Sequence, residues 1–242
     1  MLIHFSVPDF VAVVVFVLSW GFYSIALAWT SRNRASLDER MNDYRYHWLI
    51  QAARLDVRMP DVNINASLQN GTAFFASTSL LAMGGAISLF PVVDDIISLL
   101  GALPVIGETA SRTAVEFKII GLAVIFTYAF FKFSWSYRLF NFSAILIGTM
   151  PPNSAPEEEI ERAAMRAAKM NVAASREYNR GQRALSFSLA YLGWFISPIV
   201  FMVATVVVLV NLLARQYRTK ARAIVAREEG EIQVNPFTHC AS

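Results

Sequence analysis

Four stretches of this chain hold no Asp, Glu, Lys or Arg: the residues between Asp9 and Arg32, between Asp61 and Asp94, between Lys118 and Lys132, and between Arg183 and Arg215. A helix of a soluble domain keeps a charged or polar face towards water. Runs this long without charge exclude that arrangement. Three of the four are at least as long as the ~20 residues that a hydrocarbon core of roughly 30 Å demands of a crossing helix. Spans are expected near residues 10–30, 70–90, 115–136 and 186–213. Only 16% of the residues are charged, 55% are hydrophobic, and mean hydropathy is +0.44.

Other scarcities exclude chemistry. The single cysteine, Cys240, cannot form an intramolecular disulfide and says nothing about redox compartment. The three histidines are His4, His47 and His239, none inside an expected span. Haem held between membrane helices by paired histidines is therefore excluded. His239 beside Cys240 has no workable zinc spacing. No Walker loop, dinucleotide fingerprint, GxSxG or HExxH is present. The expectation is a protein without enzymatic activity, cofactor or metal.

The N-terminus lacks the basic region of a signal peptide and carries Pro8 and Asp9 instead, so the first apolar run reads as a retained span. After it comes an arginine-rich segment. Ser36 followed by Glu39 fits a capping box, and Tyr44, Trp48, Ala52 and Leu55 recur at helical spacing. A surface helix over about 37–58 follows, ended by Pro60, with Asp61 as the next cap. The stretch from Pro91 to Gly107 is apolar but interrupted by prolines and glycines, and reads as interfacial or re-entrant. The third helix should run past the membrane to Gly148. Ser154 and Glu157 suggest a second capping box, opening a charged, alanine-rich surface helix over about 155–180 with Gly181 as its C-cap. The whole forms one helical membrane domain, residues 1–231, with a flexible tail at 232–242.

The net charge of +3 comes mostly from arginine clusters beside the spans. These suit anionic lipid headgroups, and no basic stripe on a soluble face suggests nucleic acid. Two Arg-rich connections belong on the cytoplasmic side, which puts the N-terminus outside. With four spans the C-terminus would also lie outside, although Arg215, Arg218, Lys220, Arg222 and Arg227 oppose that. Trp29, Trp135 and Tyr137 fit an inner aromatic belt, and Trp194 falls within the last span, where it should pack against a helix.

The second span begins as "NASLQNGT" and ends as "SLLAMGG". Asn63, Ser67, Asn70, Ala73, Ser77 and Gly84 fall near one stripe. In lipid, small residues and interhelical hydrogen bonds drive association, so this stripe reads first as a packing seam and second as a pore lining. Lys132 and Arg138 are candidates for a charged inner mouth, Asp94 and Asp95 for an outer one. Glu116 and Lys118 mark the outer interface.

Three blocks, "HWLIQAARLDVRMPDVNINASLQNGTAFFASTSL", "SWSYRLFNFSAILIG" and "RGQRALSFSLAYLGWFISPIVF", resemble a membrane family catalogued as domain of unknown function five-nine-nine. The resemblance covers roughly residues 10–215. It is carried best by "FFASTSL", by the Arg138–Asn141 spacing, and by Trp194 and Pro198. It implies a multi-span membrane protein of bacteria and plants, and no activity.

The expected architecture is all-α and integral to the bacterial inner membrane, with four spans and two cytoplasmic surface helices. The expected role is a self-associating or accessory subunit of a membrane complex. A small homo-oligomeric channel or transporter is the alternative.

Overall fold

Two helices are longer than any bilayer requires. The computed structural model describes residues 6–30, 36–55, 57–101, 111–217 and 224–225. It contains α1 (Val7–Thr30), α2 (Leu37–Ala53), α3 (Met59–Ile87), α4 (Val93–Gly101), α5 (Arg112–Gly148), α6 (Glu157–Leu192) and α7 (Pro198–Tyr217), with short 3₁₀ turns at Phe90–Val92 and Gly193–Phe195. No strand occurs among the described residues. At 1.5 Å per residue, the 37 residues of α5 and 36 of α6 extend about 55 Å each. Four helices are long and apolar enough to cross a membrane: α1, α3 with its extension towards Leu99, α5 and α7.

α5 and α6 lie antiparallel over their whole length. Gly121 faces Tyr191, Phe133 lies on Gly181, the Ser136 hydroxyl donates to the Ala174 carbonyl at 2.8 Å, and Ile147 shares a buried cluster with Ile160. α3 runs antiparallel to α5 on the other side. The Asn65 amide donates to the Phe140 carbonyl at 2.9 Å, and Phe75 stacks on Phe133 with centroids 5.5 Å apart. The packed face of α3 is Asn65, Thr72, Ser79 and Ala86, a strict heptad of small and polar residues.

The resulting rod has two halves. One is apolar, with Phe16, Phe133, Phe187, Tyr191, Trp194 and Phe201 at its centre. The other is polar outside, where α2, the first half of α3, the end of α5 and the start of α6 enclose Leu49, Ile147, Ala164 and Ala167. Alanines on α6 admit α2 closely, while Arg162, Arg166 and Lys169 face outwards. α4 lies across the far end of the apolar half, where Val93 packs with Val115 and Ile119.

Several expectations change. α2 ends at Ala53, before Pro60, which instead sits in the first turn of α3; Asp61 is no cap but accepts from the Trp48 indole at 2.6 Å. Ser36 does accept from the Glu39 amide. Ser154 does not cap α6, which begins at Glu157 after Pro156 and has no side-chain cap. Gly181 is not a C-cap. A Cβ there would stand 2.7 Å from the Phe133 ring, so glycine is present for close approach and the helix continues.

The largest correction concerns the last apolar run, expected as one span over 186–213. It breaks at Gly193–Ser197. Pro198 has no N–H and its ring obstructs the carbonyl four residues back, while Ser197 caps α7 by accepting from the Val200 amide at 3.1 Å. The end of α6 and all of α7 therefore run antiparallel, and the chain passes along the apolar half five times. Asp9 in α1 meets Trp194 at one end, and Gln216 in α7 meets Asp38 at the other. Asp9 and Gln216 therefore lie at opposite ends of the apolar half. The expected tail, 232–242, lies outside the described residues.

Gly181→Leu is expected to destabilise the protein by about 1–3 kcal/mol through overpacking against Phe133. Thermal unfolding in detergent, compared with wild type, measures it.

Candidate functional site

Polar groups in this fold gather at three levels. In the polar half, Asn65, Ser143 and Asn171 are fully buried. The Asn171 amide donates to Asn65 Oδ1 at 3.0 Å and to Ser143 Oγ at 3.3 Å, while its own Oδ1 accepts from the Arg45 guanidinium. Burial pulls the Arg45 pKa down. One amide thus joins α2, α3, α5 and α6. Arg58 closes the same half by donating to the Met150 and Pro151 carbonyls at 2.7 and 2.6 Å.

At the far end of the apolar half, the Trp194 carbonyl released by the helix break accepts from Lys118 Nζ at 2.9 Å. The Trp194 indole donates to Asp9 at 2.7 Å, whose other oxygen accepts from the Ser6 hydroxyl at 2.6 Å. Lys118 also stands 5.2 Å from the Trp194 ring centroid. Buried charge in an apolar surround needs such partners. The cluster ties α1, α5 and the α6–α7 turn together.

The third level divides the two halves. Lys132 Nζ donates to Glu177 at 2.8 Å and lies over the Tyr128 ring. Arg180 is paired with the same carboxylate. Arg183 lies over the Tyr23 ring, 5.6 Å from its centroid. Gln216 donates to Asp38 at 2.7 Å and accepts from its backbone N–H at 3.3 Å. Burial pushes the Asp38 carboxyl up, against the lowering influence of Gln216 and Arg183.

The residues expected to form sites are mostly not brought together. Asn63, Ser67, Asn70, Ser77 and Gly84 face outwards on α3, with Ala73 half-buried. They form no packing seam within this chain, because the seam is the heptad two residues on. Arg138 stands over Trp135 and Phe142, apart from Lys132, so the two make no common mouth. Asp94 is paired with Arg112 at 2.6 Å, Asp95 is exposed, and no metal-competent cluster occurs among the described residues. Lys118 is buried, not interfacial. Trp194 packs as expected, stacked on Phe201.

Sequence reading missed Asp9, Arg45, Asn65, Asn171, Arg183 and Gln216. Pro198, four residues after Trp194, was the one signal pointing to a free carbonyl for Lys118.

The comparison with known families decides the relationship. A family described as "Protein of unknown function, DUF599" matches residues 11–221. The chain belongs to this family. No curated protein and no solved structure matches it. The DUF599 match takes in the Asn171 network, the dividing layer and the α6–α7 break; Asp9 lies just before it.

Asn171→Ala is expected to cost about 1–3 kcal/mol, since it strands the Arg45 and Asn65 groups in the interior. Asn63→Ala on the outer face should stay within about 0.5 kcal/mol. Denaturant unfolding followed at Trp48 separates the two.

The raised pKa of Asp38 also has a sign. The native state holds that proton more tightly than the unfolded chain, whose value is 3.8. Its contribution is fully present below 3.8 and is lost as pH rises through the folded value. Asp38→Asn should therefore gain thermal stability relative to wild type as pH rises through that window, and a constant difference between the two pH profiles would refute the assignment.

Proposed function

We propose that this DUF599 protein is a non-enzymatic structural subunit, anchored by its apolar half and offering its polar half to another membrane-associated protein. One observation carries the reading: the centre of the apolar half is filled. Phe16 makes edge contacts with Trp20, Phe187 and Tyr191 at 5.6–5.7 Å. Trp194 stacks on Phe201 at 5.4 Å. Interlocked rings leave no route for a solute through one chain, whereas helices continuous between the halves suit rigid presentation.

The docking face we favour is the outer side of α6, where Glu159, Arg162, Met165, Arg166 and Lys169 line an open depression. Its cations suit an acidic partner. The bases of the polar half, with Arg215 at the same end, favour a cytoplasmic position for it in a bacterial inner membrane. With five passes, this orientation favours an N-terminus outside and a C-terminus inside, in keeping with the basic residues from Arg215 to Arg227.

A second reading, a channel formed between copies, draws on the outward stripe of α3. Ser77, Gly84 and Gly85 are exposed there, and a Cβ on either glycine would meet nothing within 4 Å. Such surfaces let helices approach closely in lipid.

Gentle extraction from the native membrane followed by mass analysis tests the proposal. A defined larger assembly containing foreign chains, weakened by Arg166→Glu, is expected. A pure homo-oligomer whose ion flux in liposomes falls with Asn70→Leu would replace the subunit reading with the channel.

A further inference from the structure

The dividing layer contains a guanidinium with no carboxylate in ion-pair contact among the described residues. Arg183 projects, half-buried, from α6 into the seam between α1 and α5. Tyr23 of α1 provides the ring beneath it, and Tyr128 of α5, Arg180 and the Asp38 carboxylate act on it at longer range. Glu177, the nearest acid on its helix, is already shared by Lys132 and Arg180. Asp38 is engaged by Gln216.

The acids near the seam are already shared: Lys132 and Arg180 both meet Glu177, and Arg176 faces Glu39 at 3.5 Å.

The outer rim of the seam is apolar. α1 packs mainly on α7, and its Ala12, Phe16 and Tyr23 share one core with Leu122, Ile125 and Ala129 of α5. Towards the surface the two helices meet through Trp20 and Tyr128, in edge contact at 5.9 Å. Trp20 is backed by Phe187, stacked at 5.1 Å. Apolar side chains flank this contact, with Val17 on α1 and Val124 and Phe131 on α5 largely exposed. The level of the cations matches a headgroup. Arg112, paired with Asp94 and Glu116 at the opposite end, and Lys132 are 20 residues apart on one helix. That is about 30 Å, the thickness of a hydrocarbon core.

We propose that the α1–α5 seam is a binding site for an anionic phospholipid, its phosphate held by Arg183 and Arg180 beside Lys132 and one acyl chain lying along Trp20 and Tyr128. The planar guanidinium of Arg183 suits two phosphate oxygens at once. Its position over Tyr23 holds it ready for an anion. Basic pockets between helices at a headgroup level recognise such lipids. The inference is independent of the partner proposed for α6: it fails or stands on lipid binding alone.

The test is native mass spectrometry of the full-length protein in detergent, titrated separately with phosphatidylglycerol and phosphatidylcholine. Wild type should retain phosphatidylglycerol and not phosphatidylcholine. Arg183→Gln should lower retention about tenfold and Arg183→Lys less. Arg180→Gln, on a half-exposed side chain that leaves the core in place, should lower it about threefold. Arg162→Gln, far from the seam, should leave it unchanged. Equal retention of the two lipids, or wild-type retention by both Arg183→Gln and Arg180→Gln, overturns the site. Complete competition by millimolar inorganic phosphate overturns the lipid assignment in favour of a free phosphate ligand.

Discussion

The antiparallel contact of α5 with α6 is the constraint on which the other elements depend. Both helices extend well beyond a hydrocarbon core, so one contact line serves two solvents. In the apolar half it is made by small residues meeting aromatic ones, Gly121 with Tyr191 and Gly181 with Phe133. In the polar half it is made by alanines and by Ser136 donating to Ala174. Because the line is unbroken, α3 can lie along α5 and α2 along α6 without any hinge between the halves. Both added helices inherit their level from that pair.

A second constraint follows from the lipid side. Hydrocarbon offers no hydrogen bonds, so a break in a crossing helix must find its partners within the protein. The break at Gly193–Ser197 does so economically: the carbonyl it releases receives Lys118, and Ser197 starts the next helix. Asp9 then neutralises the lysine's surroundings through the Trp194 indole. Three expensive features, a helix break and two charges, satisfy one another. This also explains why α1, which otherwise packs mainly on α7, is fixed at its N-terminal end.

The polar half is organised by the opposite logic. Its surface is solvated, and its interior is specified by a small number of buried amides. Asn171 of α6 reaches three other helices through three partners, which aligns α2 and α3 relative to the α5–α6 pair as apolar packing alone would not. Between the halves, the dividing layer concentrates cations around tyrosines. Lys132 is paired there with Glu177, whereas Arg183 lies over the Tyr23 ring.

Much of the fold was legible in the sequence, and for identifiable reasons. Gaps in charge revealed the apolar helices, since hydrocarbon tolerates little else. Ser36 with Glu39 marked the start of α2, and Gly148 before Pro151–Pro152 marked the end of α5. The polar opening of α3 was read as a packing seam or a pore lining, whereas it is the half of a long helix that packs in the polar half. The candidate sites were much less legible. Helical spacing identifies a stripe but not its direction, so Asn63, Ser67, Asn70, Ser77 and Gly84 were placed on the seam that Asn65, Thr72, Ser79 and Ala86 occupy. Nor does periodicity report whether a glycine ends a helix or admits a ring, which is why Gly181 was misread. Composition by itself determined that this chain is helical and lives in a membrane, because that depends on how much polar surface each segment must hide. Tertiary structure alone decided that the last apolar run breaks at Gly193–Ser197 and which partners Lys118 and Asn171 find, because those depend on which side chains from distant segments meet.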